Sequence, residues 1–81
     1  MLKQNFLKLF NKENIQKDSV FMEMVIKGQE ILELTDSQIS KKMMITKPTY
    51  ERWKKGANFP HKYMRPGILE FFLKEMVNEQ Y

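Results

Sequence analysis

Apolar positions in this chain recur at three- and four-residue intervals, and no window sustains the alternation of a half-buried strand. That periodicity predicts helices throughout. Leu2, Phe6, Leu9 and Phe10 line one face of a short first helix, and polar residues from Asn11 to Lys17 predict a loop. A second apolar set runs from Val20 to Leu34, with Asp18 or Ser19 expected to cap its start. Gly28 interrupts it and is expected to bend or split the helix. A last set, from about Gly67 to Asn78, includes Ile68, Leu69, Phe71, Phe72, Leu73, Met76 and Val77. It is wider than one stripe, so part of it must meet the N-terminal helix or another subunit.

Between these lies the most specific stretch, Leu34 to Gly56. Thr35-Asp36-Ser37-Gln38 reads as a capping box, with Leu34 and Ile39 at the two staple positions. Only Ile39 and Met43 give this helix a buried face. After Met44-Ile45, Thr46 is a natural N-cap, Pro48 fits the first turn, and Gly56 can close the next helix in a left-handed conformation. Two helices, at about 36–43 and 47–55, joined by a turn of about three residues, make a helix-turn-helix. The expected fold is therefore all-α, a compact bundle of about five short helices in one domain over residues 1–81. Residues 1–17 form a helix and loop outside the motif.

On a wheel of about 100° per residue, Tyr50 and Trp53 point inward from helix 47–55. Pro48, Arg52 and Lys55 fall opposite, Glu51 lies beside them, Lys47 sits at the tip and Lys54 on a flank. A short rigid helix with an outward basic face suits the major groove of DNA. Of fourteen basic residues only Arg52 and Arg65 are arginine. The guanidinium fork can grip guanine O6 and N7 together, which an ammonium cannot. Glu51 can accept from a cytosine amine or orient Arg52 or Lys47.

Charge sharpens the picture. The chain carries +4 overall. Between Asp36 and Arg65 eight bases face two acids, a local +6; the remainder, six bases against eight acids, is −2. A basic middle on an acidic chain suggests a footprint for a polyanion. With no cysteine, disulfides and thiolate zinc sites are excluded, and with a single histidine, His61, no protein metal site or Ser-His-Asp triad is expected. No cofactor and no catalytic residue is expected. No apolar run reaches the roughly 18 residues of a membrane span, and the N-terminus reads poorly as a signal peptide. A cytoplasmic, nucleoid-associated protein is expected.

The segment resembles the helix-turn-helix of Cro and phage-repressor type (Xre-like) regulators. The resemblance rests on Ile39, Ser40, Met43, Ile45, Thr46, Pro48-Thr49, Arg52-Trp53, Gly56 and Pro60, and covers about Gln29 to Lys74. "RWKKGANFP" is similar to the family's Trp-x-x-Gly-x-x-x-Pro ending, and "RPGILEFF" to the helix that follows. It implies base reading by Lys47, Pro48 and Arg52, with Lys41 and Thr46 near phosphates and the loop from Asn58 to Lys62 close to the backbone. Glu51 and Lys55 complete the candidate reading set. Thr49, Tyr50, Lys54, Asn58, His61 and Lys62 complete the candidate phosphate set. Two positions depart from the family. Met44 replaces the usual turn glycine, at a cost of about 1 kcal/mol if φ is positive. Tyr50 replaces a small β-branched residue, so the helix is expected further out or the hydroxyl near a phosphate.

The function expected is a sequence-specific double-stranded DNA-binding regulator, a repressor of bacterial or phage origin acting as a homodimer on a palindrome. The alternative is a protein-interaction module, an antitoxin or adaptor binding through the apolar face of Ile68 to Val77. Membrane-surface binding through "LKQNFLKLF" is a weaker third reading, because that stretch is short and carries two lysines.

Overall fold

The structure, a computed structural model, describes the backbone of residues 2–78 and the side chains of residues 4–77. The expected contribution of Leu2 to the first apolar stripe lies outside the described side chains. Among the described residues there are five α-helices and no strand. They are α1 (Leu2–Leu9), α2 (Asp18–Leu32), α3 (Asp36–Met43), α4 (Lys47–Lys55) and α5 (Arg65–Asn78), with 3₁₀ turns at Asn14–Gln16 and Lys62–Met64. The fold is the small all-α bundle that the periodicity predicts.

The capping box is complete. Thr35 Oγ1 accepts from the Gln38 amide at 3.1 Å, and Gln38 Oε1 accepts from the Thr35 amide at 2.9 Å. Helix α3 ends with Met44 in the left-handed region, φ 61° and ψ 40°, and the Ile45 amide reaches back to the Ser40 carbonyl at 3.0 Å. The turn keeps the geometry that a glycine would adopt, so the departure at Met44 is met by strain rather than by a new turn. Gly56 closes α4 in the same way, φ 76°, with the Ala57 amide bonded to the Arg52 carbonyl at 2.9 Å.

Three expectations are corrected. Helix α2 is not broken at Gly28; it runs unbroken to Leu32, and the glycine serves a contact. A Cβ there would lie 2.5 Å from Cδ1 of Phe72, so the missing side chain lets α5 press its ring onto α2. Neither Asp18 nor Ser19 caps α2. The N-cap is the extended Lys17, which makes no side-chain cap bond, and the Asp18 carboxylate accepts from Arg65 instead. The polar stretch 11–17 is not merely a loop. Asn11 Oδ1 accepts from the amides of Glu13 and Asn14, and Asn14 Oδ1 accepts from the Asn11 amide. Ile15, next to this reciprocal pair, is fully buried in the core.

The wide apolar set of α5 divides between two neighbours. Leu69, Phe72 and Met76 are buried, and the Phe72 ring lies 6.2 Å from that of Phe6 on α1, which itself packs on Phe10 at 4.9 Å. The N-terminal helix and α2, at Gly28, thus both cover α5. Phe71 points elsewhere and is half-buried. It lines an open apolar groove of about 270 Å³ with Met43, Ile45, Trp53, Met64 and Ile68, where Lys42 is the only charged side chain.

Candidate nucleic-acid interface

Helix α4 is nine residues long and held at both ends. Thr46 Oγ1 accepts from the Thr49 amide at 3.3 Å and lies 2.7 Å from the Thr49 hydroxyl, so both threonines are tied into the start of the helix. Tyr50 and Trp53 are buried, and the indole meets Phe21 of α2 edge-on at 5.7 Å. This inner face fixes the outer one. Pro48, Arg52 and Lys55 are exposed, as the wheel predicts, as is Lys47 at the tip, while Glu51 beside them is half-buried. Among the described residues neither Arg52 nor Lys47 nor Lys55 forms an ion pair or a side-chain hydrogen bond. The guanidinium of Arg52 is therefore not taken up by Glu51.

Two further phosphate candidates turn inward to partners on other helices. Tyr50 is 0% exposed, and its hydroxyl donates to Gln29 Oε1 at 2.8 Å. Burial pushes its phenol well above the usual range, with the Asp36 charge adding to the effect. A hydroxyl enclosed in this way does not reach a phosphate. Lys54 turns inward from its flank, donating to Asp36 Oδ1 at 2.6 Å and to Gln29 Oε1 at 3.0 Å. Gln29 Nε2 in turn donates to Asp36 Oδ1 at 2.8 Å and to the Leu34 carbonyl at 3.0 Å. The Lys54 hydrogen bond holds the Asp36 carboxyl below its ordinary value against the opposing effect of burial, and the Gln29 bond assists. One amide thus joins α2, the start of α3 and the flank of α4. Both Tyr50 and Lys54 hold α4 in place from behind.

The loop after α4 is anchored by the other arginine. Arg65 is 3% exposed. Its Nη1 donates to the carbonyls of Ile15 and Gln16, its Nε to that of Pro60, and its Nη2 to Asp18 Oδ1 at 2.8 Å. Phe21 and Phe59 lie 5.2 and 5.7 Å from its guanidinium carbon. This residue, counted in the basic middle, is a structural cation. Asn58, His61 and Lys62 are exposed on the loop it holds, and the His61 and Tyr63 rings are 4.2 Å apart. Lys41 is exposed on α3, whereas its neighbour Lys42 pairs with Glu75 of α5 at 3.3 Å.

The basic middle therefore thins but keeps its sign. Of its eight bases, Lys42, Lys54 and Arg65 are paired internally, and of its two acids Asp36 is engaged. The other five bases against Glu51 leave +4 on this segment. Sequence reasoning misses Gln29, although a signal exists: it falls on the apolar stripe of Val25 and Leu32, where a polar residue needs a buried partner. Arg65 offers no such signal, since its partners Ile15 and Gln16 lie about fifty positions away in the chain.

No protein-family model, curated protein or solved structure matches this chain.

Proposed function

We propose that this chain is a sequence-specific double-stranded DNA-binding transcriptional regulator of the Cro and phage-repressor type, bacterial or phage-encoded, which represses by occupying an operator. The observation that carries this reading is the state of α4. Its aromatic face is buried, both its ends are capped, and Lys47, Arg52 and Lys55 stand outward with no partner among the described residues. Unpaired arginine on a rigid helix matches base-edge recognition in the major groove, while Lys41 and the loop from Asn58 to Lys62 suit phosphates. In this reading the protein works at the nucleoid in the cytoplasm. Among the described residues no helix is long and apolar enough to cross a membrane.

One reading helix covers about four to six base pairs, too few for a unique site, so the functional unit is a two-fold dimer on a palindrome. Sedimentation on a DNA half-site pair is expected to give two chains per duplex; a monomer at high micromolar concentration, free and on DNA, contradicts this. Selection from a random duplex library tests the main reading, with an inverted-repeat consensus as the expected result. The groove lined by Ile45, Met64 and Phe71 favours a second reading, an antitoxin or adaptor that seats a partner's apolar side chains. Folded protein that enriches no sequence, at low or moderate salt, would move the assignment to that class.

A further inference from the structure

The segment before α2 has mixed charge and lies outside the basic middle, so sequence gives it no part in binding. The fold changes its position. Gln16 Nε2 donates to the Lys62 carbonyl at 3.1 Å and to the Lys12 carbonyl at 3.3 Å, bridging the two backbones through one nitrogen. Arg65 ties the Ile15 and Gln16 carbonyls to that of Pro60. The turn Asn14–Gln16 and the loop after α4 are therefore one bonded unit. It lies at the C-terminal end of α4, where a Cβ on Gly56 would be 3.4 Å from Met22 on α2 and 3.9 Å from Phe59. Lys12 and Lys17 are exposed on this unit, as are Lys62 and His61. Asp18 is drawn to Arg65, which leaves Glu13 as the acid of the turn with no ion pair among the described residues, against three lysines.

We infer that this turn is a second, sequence-independent contact for the phosphodiester backbone of the duplex that α4 reads, with Lys12 and Lys17 acting beside Lys62. The inference rests on the DNA reading above. A reading helix holds its register only if phosphates are gripped around it. Lys41 and Thr46 serve the N-terminal end of α4, and Lys62, Lys12 and Lys17 serve the other. Because the mount is hydrogen-bonded before DNA arrives, little backbone order has to be gained on binding.

The test uses the full chain, its selected duplex and a scrambled duplex of equal length, titrated across salt. In the double variant Lys12→Ala/Lys17→Ala, the slope of log affinity against log salt should become shallower by about 0.9 for each phosphate no longer neutralised. Affinity for both duplexes should fall by the same factor, with base preference and the unfolding midpoint unchanged. A matched control, Lys27→Ala/Lys74→Ala, removes equal charge from sites on α2 and α5 and should leave the slope at the wild-type value. An unchanged slope in the first variant while wild-type protein binds DNA would overturn the inference. So would an equally shallow slope in the control, which would mean that net charge alone acts. Wild-type protein that binds neither duplex removes the DNA reading itself, and this contact with it.

Discussion

Arg65 directs its guanidinium at three carbonyls and a carboxylate, whereas Arg52 directs its own at nothing among the described residues. The sequence marks both as exceptions to a lysine-rich chain without separating them; only the bonds to residues 15–18 do so. Two other residues make their roles measurable. Gly28 would place a Cβ 2.5 Å from the fully buried Phe72 ring, closer than van der Waals contact allows. Gly28→Ala should therefore destabilise by about 1–3 kcal/mol despite the better helix propensity of alanine, seen as a lower denaturant midpoint. A midpoint at or above wild type would show that the ring can move aside. Met44 is the opposite case. It is 91% exposed at φ 61°, so Met44→Gly removes backbone strain without disturbing the core. After allowing for the greater freedom of unfolded glycine, stability should rise by about 0.5–1 kcal/mol. A fall would mean that the thioether stabilises the turn in a way this geometry does not provide.

Helices α3 and α4 are legible in sequence to the residue, because their limits are set by local chemistry: a threonine cap at each start, a left-handed residue at each end. Helix α2 is less so, since what matters in it is tertiary. Gln29, Asp36, Tyr50 and Lys54 belong to three different helices, and only the fold shows that they share one network. Its pH dependence follows from the signs of the shifts. The Asp36 carboxyl is lowered in the fold, so its stabilisation is complete above its ordinary value of 3.8 and is lost as pH falls through the folded value. Lys54→Met should cost about 1 kcal/mol near neutrality, allowing for partial exposure. The gap to wild type should close below about pH 4, as the partner carboxylate is protonated. Tyr50 is raised, so its contribution holds below its ordinary 10.0 and is lost as pH rises beyond it. Denaturant midpoints of the two proteins from acid to neutral pH check this; a gap that stays constant down to strong acid would exclude the Asp36–Lys54 pair as its source.

At the scale of the whole molecule, the all-α class and the helix-turn-helix follow from periodicity and caps, but the surface does not follow from a count of charges. Three bases of the middle third face inward or pair across helices, while two lysines from the N-terminal turn are carried beside the loop after α4. The apolar width of α5, which in sequence allows a subunit contact, is shared between α1 and α2, and the groove beside Phe71 remains open. Reading by Arg52 is the claim on which the functional account turns. Its most direct test is the base-preference profile of Arg52→Ala and Arg52→Lys against wild type on the selected operator and its single-base variants. Arg52→Ala should lose about 1–3 kcal/mol, confined to one base pair per half-site. Arg52→Lys should keep non-specific affinity while losing that discrimination, because charge survives and the fork does not. An Arg52→Ala profile identical to wild type at every position would contradict the assignment of α4 as the reader.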